Sequence, residues 1–512
     1  MEDDRITNSI RNMIYGTVRY IILFLGPFII RTFIIYNLGI EYVGVATLFS
    51  SILQVLSLSE LGFSTAIIYS LYKPVANNDI QVICKLMGFY RKVYRYVGMT
   101  ILVVGMIVCP FVKYLIKGDY PTEINIYIVF LLLLINTAFS YFFYGYKSAL
   151  FIAYQRNDIT SKTQLVSNVT MYIIQIFILL ICKSYYGYLG CLIFGTVFNN
   201  VLMQFYAKKL FPEIECKPGI SKDEQKKLLK SVVELFGHQL DVVIITSADN
   251  IVVSSFLGLG ILTIYGNYNV IISGLIGLLM MVSNSFLASI GNSIAVESKE
   301  KNYRNFLDFT YMIITITGIC TVMMFVLFQD FMTLWMGRER VLNVSVVFLM
   351  CLNFYARMAK RPGNTYKEAR GLWSFDVFKP YVAGAINLAL NIFLVTRIGL
   401  YGVVISTIFS LAVVEAPWEM AVLFKHYFGN GQGKYIKIHL ESIMKMLVVG
   451  GVVYFLSRYF LVQTFAMFSI KAILLFFACI TMYFIFSLKD EGFLYIIKVC
   501  KRQMDLRRKN GN

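Results

Sequence analysis

Apolar residues along this chain gather into long blocks separated by short polar breaks. Stretches such as Ile101–Val108, Ile124–Phe139 and Ala472–Ile485 are apolar nearly throughout, which a helix facing water on one side is not. A bilayer core about 30 Å thick takes roughly 20 such residues per crossing. The pattern predicts about fourteen membrane-spanning helices, at roughly 13–37, 42–72, 87–112, 123–146, 160–182, 187–207, 232–256, 262–292, 307–328, 341–359, 375–396, 400–425, 438–457 and 466–487. The expected fold class is an all-α polytopic membrane protein.

The breaks alternate in character. Asn37–Glu41, Lys183–Tyr186 and Leu257–Ile261 are short and carry little charge, whereas Lys73–Arg95, Lys208–Lys230, Arg357–Lys379 and Lys489–Lys509 are rich in Lys and Arg. With the N-terminus in the cytoplasm, about 37 of the 47 Lys and Arg fall on or near the cytoplasmic side and about 8 outside. Both termini are therefore expected in the cytoplasm, and the acidic, polar start predicts a retained first helix rather than a cleaved leader. Leu38-Gly39 and Leu257-Gly258 make matching turns, as do Gly187–Gly190 and Gly399–Gly402, each pair roughly 215 residues apart. This predicts two six-helix halves, at roughly 1–210 and 231–428. A cytoplasmic linker at about 211–230 joins them, two appended helices follow at about 429–488, and a basic cytoplasmic tail closes the chain at about 489–512.

Composition narrows the function. The chain of 512 residues is 58% hydrophobic and 15% charged, where a soluble domain carries about 25% charge. A net charge of +18 would point to nucleic acid in a soluble protein; here it sits in loops and orients the chain, so no nucleic-acid partner is expected. The nine cysteines are scattered and the three histidines make no metal set. No phosphate-cradling Gly-rich motif occurs and no cofactor is expected. The longest outside loop, Gln329–Arg340, is too small for a catalytic domain, and no D-x-D is present, so the chain does not read as a polymerase or glycosyltransferase.

The candidate chemistry lies in polar groups inside the spans. A charge at mid-bilayer costs about 2.5–3.5 kcal/mol on insertion scales, so each needs a partner or a wet cavity. Glu234, His238, Asp241 and Asp249 share an arc of one helix; Ser50, Gln54, Ser57 and Ser64 form a stripe with Glu60 beside it. Asn136, Ser140, Tyr144 and Lys147 line another span, Gln164, Asn168 and Gln175 a third, and Asp376, Asn387 and Asn391 a fourth. Arg19 and Arg31 flank Pro27 in the first span. Interhelical hydrogen bonding explains isolated amides and hydroxyls, and Arg19 and Lys147 could reach headgroups. Polar stripes in both halves also fit a central hydrophilic cavity. Arg19, Arg31, Arg357, Lys147, Asn168 and Asn387 are the candidates for binding a substrate there. Glu60, Asp241 and Asp249 either couple Na⁺ or H⁺ or pair with the arginines.

Several stretches carry a family likeness. They include Arg31-Thr-Phe with Leu38–Gly44, Leu56–Ala66 running into Leu71–Pro74, and Ala248–Asn250. Ala288–Asn292, Arg361-Pro362, Tyr366–Ala369 and Asp376–Pro380 follow. In this order the chain resembles the Wzx-type polysaccharide flippases of the multidrug/oligosaccharidyl-lipid/polysaccharide exporter superfamily. The resemblance implies two six-helix bundles in a MATE-like V shape plus two C-terminal helices, in a bacterial plasma membrane. It implies transfer of an undecaprenyl-pyrophosphate-linked oligosaccharide between leaflets among membrane lipids, with polysaccharide polymerase and export proteins as partners. It singles out Glu60, Asp249 and the Arg361–Lys379 region. A drug exporter or a peptidoglycan-precursor flippase of the same superfamily is the alternative.

Overall fold

The computed structural model describes residues 2–60, 63–217, 219–490 and 492–494, with side chains placed except at 2–10, 13, 59–60, 227, 230–231, 233–245 and 373–374. Within these residues the chain is helical. The helices are α1 (Glu2–Asn37), α2 (Ile40–Leu56), α3 (Phe63–Ala76), α4 (Ile80–Val108), α5 (Ile126–Phe142), α6 (Ser148–Ala153), α7 (Asn157–Ile181), α8 (Tyr185–Leu210), α9 (Lys222–Leu257) and α10 (Leu259–Ser285). They continue as α11 (Leu287–Val296), α12 (Lys299–Met336), α13 (Val344–Ala359), α14 (Arg361–Arg370), α15 (Lys379–Ile398), α16 (Leu400–Phe409), α17 (Ala416–Leu423), α18 (Gln432–Ser457) and α19 (Phe465–Ser487).

Each of the fourteen stretches expected to cross the membrane contains helix among the described residues. Ten helices among the described residues are long and apolar enough to span, or eleven when α5 and the segment Gly145–Ala153, bent by 45°, count as one crossing. The remaining expected crossings fall on the interrupted α2 and α3, on the shorter α13, and on α9. Large apolar side chains such as Ile173, Phe177 and Ile181 on α7 and Ile473 and Phe477 on α19 point outward, as lipid-facing residues do.

Helix ends follow local chemistry. Ser221 and Glu224 form a reciprocal cap at the start of α9, and Asp79, Asn125, Ser298 and Thr464 accept backbone N–H groups at theirs. The matched turns differ. Gly39 and Gly258 both take positive φ, 133° and 93°, where a side chain would be strained. Gly399 does so too, at 61°, but its sequence counterpart Gly187 is helical and Ser184 caps α8 instead.

Two compact units emerge, Met1–Gly266 and Asn267–Asn512. In the first, α1 packs on α7, α7 on α8, α5 on α4 and α8, and α9 on α2 and α3. In the second, α12 packs against α13, α18 and α19, and α15 pairs with α16. Its core joins Val322 and Val326, Tyr355, Val449 and Val453, and Leu475 and Cys479 from these four helices. Lipid tails are as apolar as these residues, so close fit rather than water exclusion holds them. Ion pairs pin both ends of α19. Lys471 reaches Asp330 at 2.7 Å, and Asp490 takes Lys445 and the hydroxyl of Tyr311, the latter at 2.6 Å.

Candidate functional site: a buried charge lattice and a polar helix pair

The segment from Lys360 to Lys379 reads in sequence as a basic loop. The structure folds it into α14 and the start of α15, with Arg361, Lys367 and Lys379 buried. The reason is a set of carboxylates that sequence reasoning passed over. Glu415 closes a π-helical turn, Ser410–Glu415, between α16 and α17, and Glu419 lies one turn further on. Pro417 has no N–H to offer the carbonyl four residues earlier, and the wide turn sits where that bond would have been. Ser410 donates to the carbonyl of Ala383 at 3.0 Å and Asn387 to Thr407 at 3.2 Å, which fixes this stretch against α15.

The charges alternate along a chain of contacts. Lys360 pairs with Glu415 and stands 3.8 Å from Glu419. Lys379 pairs with Glu419 and stands 3.9 Å from Asp376. Lys367 pairs with Asp376. Glu415 and Asp376 are fully buried, and Lys367 is 2% exposed. Among the described residues three lysines face three carboxylates, and their charges balance. That neutrality lets it sit in a low-dielectric interior, where one unpaired charge would cost several kcal/mol. One oxygen of Glu419, Oε2, is buried without a hydrogen-bond partner among the described residues. Beside the lattice, Arg361 donates to Glu368 at 2.8 Å and to Asn284 at 2.6 Å.

A second polar region lies in the first unit. Arg19 donates to Gln164 Oε1 at 2.7 Å, and Asn168 donates to the backbone carbonyl of the same Gln164 at 2.7 Å, so α1 and α7 bring these two expected residues together. Arg31 is half-buried, donates to Thr47 at 3.1 Å and has Tyr188 within electrostatic range. Asp249 is 3% exposed, between two bonds that tie α9 to α2: Ser247 to Gln54 at 3.1 Å and Asn250 to Ser51 at 2.9 Å. The side chains of Glu60, Asp241, Glu234 and His238 lie outside the described residues. Lys147 stands away from these bonds, in the turn after α5, and Arg357 of the second unit donates to Asn353 at 3.2 Å.

The cations thus sort into two kinds. Lys360, Lys367, Lys379 and Arg361 meet carboxylates, whereas Arg19 and Arg357 are oriented by neutral amides and have no carboxylate at ion-pair distance among the described residues. The signal for the lattice was present in the sequence: Glu415 and Glu419 stand four apart in an otherwise apolar block. It was legible only with their lysine partners in view.

Solved structures share this architecture. A multidrug-resistance MATE family transporter of the MOP superfamily, in an inward-facing conformation, matches at TM-score 0.61 and 12% identity over 80% of this chain and 98% of its own. The lipid II flippase MurJ, in an inward closed conformation, matches at TM-score 0.61 and 16% identity, over 94% of this chain and 98% of its own. A MATE transporter of Vibrio cholerae matches at TM-score 0.57 and 12% identity over 84% of this chain and 99% of its own. The chain has the fold of these transporters. No protein-family model and no curated protein matches the sequence.

Proposed function

We propose that this chain moves an undecaprenyl-pyrophosphate-linked oligosaccharide from the cytoplasmic to the outer leaflet of a bacterial plasma membrane, with both termini in the cytoplasm. The observation that carries the reading is the sorting of cations. Arg19 and Arg357 are each aimed by a neutral amide and meet no carboxylate among the described residues, whereas Lys360, Lys367 and Lys379 are paired with carboxylates. A polar group crossing hydrocarbon loses its hydration, and a pyrophosphate loses most. Guanidinium groups match phosphate oxygens in geometry and stay charged. Arg31 on α1, bonded to Thr47, supplies a further guanidinium, and Asn168 offers an amide to sugar hydroxyls; Asn387, fully buried against Thr407, has to leave that contact to do the same.

The fold supports a carrier that alternates between two accessible states. The coverage of this chain by the flippase structure includes more of its length than either exporter structure does, which favours a lipid-borne cargo over a drug. The neutral lattice supports ion coupling: adding one proton or Na⁺ unbalances it, and the imbalance can favour one of two packings. Asp249, with Glu60 and Asp241, is the corresponding set in the first unit.

In a deletion strain of the native host, the lipid-linked repeat unit should accumulate in the inner leaflet while drug susceptibility stays unchanged. Arg31→Ala should restore protein to normal levels yet not restore export. Full export by Arg31→Ala removes that residue from the mechanism; a changed drug profile with no lipid-linked intermediate replaces the whole reading with drug export.

A further inference from the structure

A cavity of about 590 Å³ opens in the first unit, at the end that carries basic loops, and neither polar region described above uses it. Arg91 of α4, Lys147 and Lys208 of α8 line it together with Gln204, Tyr144 and Cys216. The 45° bend after α5 swings Lys147 off the line of its span. Arg91 and Lys208 are within electrostatic range of Lys147, and among the described residues none of the three pairs with a carboxylate. Glu215 at the rim is engaged by Lys217 at 3.8 Å.

The rim is built rather than draped. The Lys217 N–H donates to the Cys84 carbonyl at 3.1 Å. Cys216 Sγ donates to the hydroxyl of Tyr146 at 3.6 Å. The strand of loop passes so close to α4 that a Cβ on Gly88 would lie 2.1 Å from the Lys217 carbonyl oxygen. On the inner wall Gln204 Oε1 is buried with no hydrogen-bond partner among the described residues. Three convergent cations repel one another and are relieved by a multivalent anion. An orphan carbonyl oxygen accepts only from a ligand O–H or N–H.

We propose that this cavity binds a phosphoryl group whose neighbouring carbons carry hydroxyls. The phosphoryl oxygens take Arg91, Lys147 and Lys208, and a ligand hydroxyl donates to Gln204. That chemistry comes either from a soluble sugar phosphate or from a lipid headgroup. The site stands on its own geometry: its failure leaves the transport reading intact, and a failed transport assay leaves the site intact.

The test is calorimetric titration of inorganic pyrophosphate and of glucose 1-phosphate into the full chain in neutral detergent. Alongside it, retained lipid is weighed by native mass spectrometry from nanodiscs containing phosphatidylglycerol. Lys147→Gln should weaken pyrophosphate binding about tenfold, the scale of one charged hydrogen bond. Gln204→Leu should spare pyrophosphate and weaken glucose 1-phosphate, and Lys209→Gln, outside the cavity, should change neither. Retention of phosphatidylglycerol that depends on Lys147, with no pyrophosphate binding, assigns the headgroup as the source. If Lys147→Gln does not fold, Arg91→Gln and Lys208→Gln, whose side chains are exposed, carry the same readout. Saturable binding unmoved by these variants, or no binding of any of the three probes, overturns the proposal.

Discussion

Lys379 has its amine between two buried carboxylates, so its removal would strand charge rather than merely delete a contact. Lys379→Met should lower stability by about 3–5 kcal/mol, the cost of an uncompensated buried charge. The double variant Lys379→Met with Glu419→Leu should recover most of that loss, because neither partner then remains charged. A double-mutant cycle on thermal or denaturant unfolding in detergent measures this, and additive losses would mean that the two do not interact. At this scale the sequence was partly legible. Arg19, Arg31 and Asp249 stand out as charges in apolar runs, and the structure buries or half-buries each. Lys367 and Lys379 belong to a stretch that the sequence shows only as rich in Lys and Arg. Only the folded chain shows that Asp376, Glu415 and Glu419 arrive from other turns to neutralise them.

Helices were the most legible level, since continuous apolar blocks leave the backbone no other way to satisfy its hydrogen bonds in lipid. Breaks inside the blocks were not. The interruption between α2 and α3, the bend after α5 and the π turn before α17 carry no Gly-Pro pair to announce them. The π turn matters most, because it holds one residue more than an α turn and sets the direction of Glu415 and Glu419. Inserting an alanine after Val413 adds a residue that the wide turn does not absorb and turns the two carboxylates by about 100° relative to α16. The coupling energy between Lys360 and Glu415, measured by the same kind of cycle, should vanish in the insertion background while the helical signal in circular dichroism persists. Undiminished coupling would show that the wide turn does not position the carboxylates.

At the scale of the molecule, the chain divides into two compact helical units, ion pairs pin its last helix, and the fold is shared with a multidrug-resistance MATE transporter and a lipid II flippase. The repeated positive-φ glycines at Gly39 and Gly258 are what the sequence showed of an internal repeat, and the backbone repeats there. Substrate class was not written in any single motif; its proposal rests on which cations meet amides rather than carboxylates among the described residues. The most direct measurement places the purified chain in liposomes that carry an undecaprenyl-pyrophosphate-linked oligosaccharide, labelled on the sugar, in both leaflets. An impermeant glycosidase outside then reads how much sugar reaches the outer surface. The account predicts complete digestion with the wild-type chain and about half with Arg31→Ala or with no protein. Digestion stopping at half with the folded wild-type chain, under imposed Na⁺ and H⁺ gradients of either sign, would contradict it.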